Sequence, residues 1–260
     1  MIAGLTTIRF SGSFIPPKAI QVAGLPTAAR QLVLIASTMR SGSTLLNSLL
    51  AYAPDVSGLN EVNFQKYAGR NPKLDEMWGL APQRILVLKH PAWFHETARY
   101  PRLPGIANRR VIVLVRDVYP TVESLRRMIL GRFARQSRPQ FDRWLAKSYW
   151  QPVTRRLLEL HQKSATDVRL VRYEDLIARP QALTLELFEF IGSVQSVGTD
   201  IYSVPNRRNW SRWRVGDNSP KLRSLRVQNP NPVPVTNPRL AGLVETDPSL
   251  NTLRRELGYL

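Results

Sequence analysis

The chain has no cysteine in its 260 residues. Disulfides, zinc–thiolate sites, iron–sulfur clusters and thiol nucleophiles are therefore excluded. Histidine is scarce: His90, His95 and His161 are the whole set. None of them stands in an H-E-x-x-H spacing, so no metal site is expected, and His161 reads as a solvated helix residue. Long apolar runs are missing as well. Leu32 to Ala36 and Val111 to Val115 are among the longest, far short of the ~20 residues that cross a bilayer, so no integral membrane segment is expected. Acid is the last shortage, with 19 Asp and Glu against 37 Lys and Arg, a formal charge of +18. The first acidic residue is Asp55. A field of that sign draws polyanions: nucleic acid, anionic lipid, sulfated polymer or a multiply phosphorylated small ligand.

What is present is ordinary globular material, 43% hydrophobic and 22% charged, in a chain long enough to bury a core without staples. Residues 1–30, with Arg9, Lys18 and Arg30 among Ser and Thr, read as an N-terminal arm, with a transit-like targeting segment as the open alternative; the expected location is cytoplasmic. Gln31–Thr38, Ile85–Lys89, Val111–Arg116 and Val168–Tyr173 are continuous apolar runs without alternation, as in central strands of a parallel sheet covered on both faces. Helical patterns over Thr44–Tyr52, Pro120–Leu130, Phe141–His161 and Pro180–Ile191 alternate with them. The expectation is one α/β domain over 31–260, doubly wound, with a mostly parallel central sheet and helices on both faces. Prolines break up 193–238 into an irregular, loop-like C-terminal region, and Leu240–Leu260 recovers a helix or two.

The first strand passes into the first helix through Arg40-Ser41-Gly42-Ser43-Thr44. Gly42 lets the backbone curl close to a ligand, the helix N-terminus offers N–H donors, the hydroxyls add more, and Arg40 adds a positive fork. Ser and Thr before an apolar helix are also what any N-cap wants, and on the turn alone both readings stand. The Walker pattern is absent, because its first glycine and its lysine would fall on Ser37 and Ser43. No G-x-G-x-x-G occurs in the chain either. Arg116-Asp117 closes the third run at the carboxyl edge of the sheet, where open α/β sheets bind ligands, and Ser124 follows eight residues on. Taken singly, Arg116 could pair with Asp117 or a neighbouring carboxylate, and Ser124 could be a solvated helix residue.

Taken together, Arg40 to Thr44, Arg116-Asp117 with Ser124, and Val171-Arg172-Tyr173-Glu174-Asp175-Leu176 before Arg179-Pro180 resemble the sulfotransferase family. Its members use 3′-phosphoadenosine 5′-phosphosulfate (PAPS) and release 3′,5′-ADP (PAP), on a P-loop-like fold. Arg40 to Glu61, with Ala53-Pro54-Asp55-Val56, is similar to the tyrosylprotein and carbohydrate branch, and Leu257-Gly258-Tyr259 is a common family ending. The resemblance implies that Arg40, Ser41, Gly42, Ser43 and Thr44 cradle the 5′-phosphosulfate. It implies that Arg116 and Ser124 grip the 3′-phosphate and that Tyr173 lies near the adenosine. Ser211-Arg212-Trp213 resembles a segment that returns to the donor, with Arg212 touching it and the proline-rich region serving as a lid. Arg40 and Lys89 would stabilise the transferring group without a metal. Glu61 matches the branch's catalytic base, and His90 is its rival.

The partner implied is a hydroxyl-bearing acceptor: a peptide tyrosine, a carbohydrate, a lipid or a small molecule. Arg126 to Arg156 holds nine basic residues and one acidic one, Asp142. That stretch reads either as a solvated helical face or as a site for something anionic. The competing function is a basic protein that binds nucleic acid or another polyanion on a P-loop-like scaffold, the less favoured of the two.

Overall fold

The apolar runs lie side by side in one sheet. In the computed structural model the described residues are 30–59, 64, 73–80, 83–103, 109–131, 139–164, 166–202, 207–208, 226–227 and 237–260. Strands β1 (Gln31–Thr38), β2 (Val56–Leu59), β3 (Ile85–Ala92), β4 (Arg109–Val115) and β5 (Val168–Arg172) are joined at one edge by a two-residue β6 (Arg207–Arg208). The order is β5-β4-β1-β3-β2-β6, and every neighbouring pair runs parallel.

Alternation along each strand splits the core into two layers. Leu32, Leu34 and Ala36 face one side with Leu86, Leu88, Val113 and Val115. They are covered by α3 (Val118–Leu130), by the long helical run α4 (Pro139–Trp144) to α5 (Gln151–Lys163), and by α8 (Pro238–Thr246) and α9 (Pro248–Glu256). Val33 and Ile35 face the other side with Val87, Ile112 and Leu114, under α1 (Ser43–Leu50), α6 (Tyr173–Ala178) and α7 (Pro180–Phe190). The short α2 (Leu74–Trp78) precedes β3. The doubly wound α/β sheet read from the sequence is thus present. Among the described residues no helix is long and apolar enough to cross a membrane.

The differences from expectation have local causes. β2, Val-Ser-Gly-Leu, is too short and too polar to register as an apolar run. Its Gly58 is required by packing, because a Cβ there would overlap Oδ1 of Asn47. The Asn47 amide reaches from α1 to donate to the carbonyls of Leu59 at 2.9 Å and Val87 at 3.4 Å. β3 extends past Lys89 through a proline. Pro91 stands opposite Ser37, so its missing N–H faces away from β1, beyond the end of the β2 ladder at Leu88. The run read as one helix over Phe141–His161 contains a π-wound turn, Leu145–Trp150, between α4 and α5. A search at 3.6-residue spacing does not distinguish that winding.

Candidate functional site

Beyond Thr38 the chain turns sharply. Arg40 has φ 66° and is the non-glycine residue with positive φ among the described residues. Gly42 follows at φ 92°, ψ 17°. Two left-handed residues within three positions curl the backbone so that it enters α1 with Gly42 as N-cap and without any side-chain cap. The N-cap reading of the serines therefore does not hold. Ser41 instead bonds through its hydroxyl to Thr38 Oγ1, and the end of α1, with its dipole, is not closed by a side chain. Gly42 is needed for a second reason: a Cβ on it would run into the ring of Tyr173.

Around this turn gather the cations named from the sequence. Lys89 is 2% exposed, and its Nζ donates to Thr44 Oγ1 at 2.9 Å. Arg40 Nε donates to Ser124 Oγ at 3.0 Å, so Ser124 faces the turn. Arg116 does not pair with Asp117. It donates from Nη1 to the Arg40 carbonyl at 2.9 Å and lies over the Tyr173 ring, 4.3 Å from its centroid. Its Nε is buried without a hydrogen-bond partner among the described residues. Burial lowers the Arg116 pKa, opposed by Tyr173 and Glu174, and a guanidinium keeps its charge against such a shift. Asp117 is held by Arg254 at 2.9 and 3.1 Å and caps α3 through the Val118 N–H at 2.7 Å.

The two candidate bases are placed differently. His90 leaves β3 on the face opposite Lys89. It is 1% exposed, stacks on Phe64 with ring centroids 3.9 Å apart, and has Nε2 3.5 Å from Glu96 Oε2. Glu61, two residues past the end of β2, lies outside the described residues, as do Arg212 and its neighbours Ser211 and Trp213.

The motifs at Val171–Leu176 and Leu257–Tyr259 are joined by contacts that their spacing does not reveal. Glu174 accepts from the Asp117 N–H at 3.2 Å and from Tyr259 Oη at 2.9 Å. Arg172 forks onto Asp175 at 2.8 Å through both nitrogens and donates to the Gly258 carbonyl at 2.6 Å. The closing residues are thereby folded back against the ends of β4 and β5. Glu174 is kept above the usual carboxylate range by burial, against the pull of these hydrogen bonds and of Arg116. His161, read as solvated, is half-buried, with Nδ1 3.0 Å from the Val168 carbonyl. In the basic stretch, ion pairs join Arg126 to Asp142 at 2.9 Å, Lys147 to Asp247 at 2.8 Å and Arg155 to Glu256 at 3.8 Å. Arg127 likewise meets Glu123. Among the described residues four of the nine cations are thus paired, Arg126 in the interior and Arg127 and Arg155 at the surface.

No family model and no curated protein matches the chain. Among solved structures it is similar to the sulfotransferase domain from the curacin biosynthetic pathway, with 18% identity and a TM-score of 0.54 over 89% of this chain and 98% of that one. It is similar also to the sulfotransferase domain of the Synechococcus PCC 7002 olefin synthase, with 20% identity and a TM-score of 0.53 over 90% of this chain and 98% of that one. At such identity the likeness is one of fold, and it spans nearly the full length of both domains. The narrower resemblance to the tyrosylprotein and carbohydrate branch rests on the sequence motifs alone.

Gly42→Ala is expected to cost about 1–3 kcal/mol in urea denaturation, from left-handed strain and overlap with Tyr173. In a Tyr173→Ala background the same substitution should cost at least about 0.5 kcal/mol less. Equal costs in both backgrounds would acquit the ring. Glu174 gives a pH test. Its folded pKa is raised, so between the unfolded value, about 4.3, and the raised one the native state holds a proton that the unfolded chain has released. Its contribution is full below that window and falls away as pH rises through it. Thermal midpoints of Glu174→Gln should therefore decline less across the window than those of the unmodified protein, and identical slopes would remove Glu174 as the source.

Proposed function

We propose that the protein is a sulfotransferase that moves a sulfuryl group from PAPS to a hydroxyl acceptor. The observation that carries this reading is the uncapped, left-handed turn at Arg40–Gly42, set beside Arg116, whose buried Nε lacks a partner among the described residues. A site of N–H donors, hydroxyls and guanidinium suits a ligand with phosphates at both ends. The fold shared with two sulfotransferase domains agrees with it.

In this reading the acceptor oxygen attacks sulfur in line, the bond from sulfur to the 5′-phosphate oxygen breaks, and PAP leaves with that electron pair. The acceptor's proton passes to a base, and positive charge stabilises the equatorial and leaving oxygens, as in phosphoryl transfer. Ser41, Ser43, Thr44 and the main chain at Gly42 hold the phosphosulfate. Lys89, anchored on Thr44, and Arg40 supply the charge, so that no metal is required. Arg116 and Ser124 take the 3′-phosphate, Tyr173 flanks the adenosine, and Arg212 closes from the C-terminal region. Glu61 is the base. The burial of His90 against Phe64, on the face away from Lys89, favours that choice over its rival. The acceptor is a peptide tyrosine, carbohydrate, lipid or small-molecule hydroxyl.

The alternative, a polyanion binder, draws on the charge of +18. It predicts binding that falls steeply with salt and no transfer of sulfate.

With a chelator present, 3′,5′-ADP at a hundredfold over Kd should stabilise the protein by roughly 2.7 kcal/mol in thermal unfolding, and Arg116→Ala should weaken that binding about tenfold or more. Stabilisation by ATP with magnesium in place of 3′,5′-ADP would overturn the donor assignment. Separately, Glu61→Gln should bind 3′,5′-ADP normally yet lose at least about a hundredfold in turnover with PAPS. Full activity in that variant would hand the role of base to His90.

A further inference from the structure

Two phenol hydroxyls are spliced into the ladder between β1 and β3. With Ser37 opposite Pro91, a parallel ladder sends the Ser37 N–H to the carbonyl of His90. Tyr100 Oη stands between them, accepting from Ser37 N at 2.6 Å and donating to the His90 carbonyl. One ladder step further, the bond would run from the Met39 N–H to the carbonyl of Ala92. There Tyr149 Oη accepts from Met39 N at 2.7 Å and donates to Ala92 O at 2.7 Å. Each strand-to-strand contact thus spans two hydrogen bonds instead of one, and the two strands are held apart at their carboxyl ends.

The place of this opening matters. β1 leads there into the turn, with Met39 next to Arg40, and β3 carries Lys89 just before the spread. The π-wound turn supplies Tyr149, and the next residue along it, Trp150, donates from Nε1 to the Arg116 carbonyl at 2.9 Å. Successive side chains of one irregular turn therefore hold the ends of β3, β1 and β4. Such windings recur at functional sites. Each hydroxyl accepts one bond and donates one within the ladder, so its single proton is committed there. Burial pushes both phenols above their usual range, so they remain protonated donors.

We propose that Tyr149 and Tyr100 are positioning residues of the donor site. They form a wedge that sets the gap between the turn bearing Arg40 and the strand bearing Lys89 to the width the phosphosulfate needs. This rests on the donor reading above. Removing a hydroxyl lets the strands close to a direct bond and draws the turn with them, without touching any group that meets the donor.

The test is calorimetric binding of 3′,5′-ADP to Tyr149→Phe and to Tyr100→Phe, with Val244→Ala as a control for lost stability. Val244 is fully buried on α8, in the same core layer as the two tyrosines but with no part in the ladder's hydrogen bonds. Both phenylalanine variants should bind about tenfold more weakly or worse and show a raised KM for PAPS, while Val244→Ala binds as the unmodified protein does. If one phenylalanine variant fails to fold, the other carries the test. Normal affinity in a folded phenylalanine variant, or equal weakening in Val244→Ala, overturns the wedge. An unmodified protein that does not bind 3′,5′-ADP overturns the donor reading itself, and the wedge with it, which is a different result from the others.

Discussion

The site depends on one steric fact: the ring of Tyr173 occupies the space where a side chain at Gly42 would be. That ring comes from the end of β5, the glycine from the end of β1, and the guanidinium above the ring from Arg116 at the end of β4. Three adjacent strand ends therefore converge on one aromatic side chain. A cation over an aromatic face is worth about 0.5–2 kcal/mol, enough to bias where Arg116 rests but not enough to build the site alone. The rest comes from main-chain geometry, since the Arg116 fork also takes the carbonyl of Arg40.

The sheet was readable because a parallel strand buried on both faces must be continuously apolar, and β1, β3 and β4 are. β2 was not, because Gly58 and Ser57 serve contacts specific to this fold: the approach of Asn47 and a bond to Gln83. At the site, Arg40, Ser41, Gly42, Lys89 and Arg116 stand within a few residues of a strand end, and that position is visible in sequence. Tyr100 and Tyr149 act on the end of β1 from 63 and 110 residues away in the chain, and the Arg254 fork on Asp117 spans 137. Nothing local marks Tyr100, Tyr149 or Arg254, whereas Glu174 and Tyr259 stand in the motifs at Val171–Leu176 and Leu257–Tyr259 without their contact being legible there. The assignment of Glu61 rests on spacing and resemblance alone.

The charge asymmetry looks different once pairs are drawn. Arg126, Arg127, Lys147 and Arg155 meet carboxylates from α3, α4 and the C-terminal helices. Several of these pairs join segments distant in sequence, Lys147 with Asp247 among them. Exposed pairs add little each, and their effect here is to spend part of a basic stretch on joining the C-terminal helices to the body of the domain.

The Asn47 contact carries a further implication. Because its amide spans α1, β2 and β3 while Gly58 leaves room for nothing else, the helix behind the turn cannot slide or roll without breaking a buried polar lock. Any adaptation to different molecules then falls to segments outside α1 and the strands it is locked to. A scaffold of that kind lends itself to retargeting: loop segments could be exchanged to alter selectivity while the cradle beneath them keeps its shape.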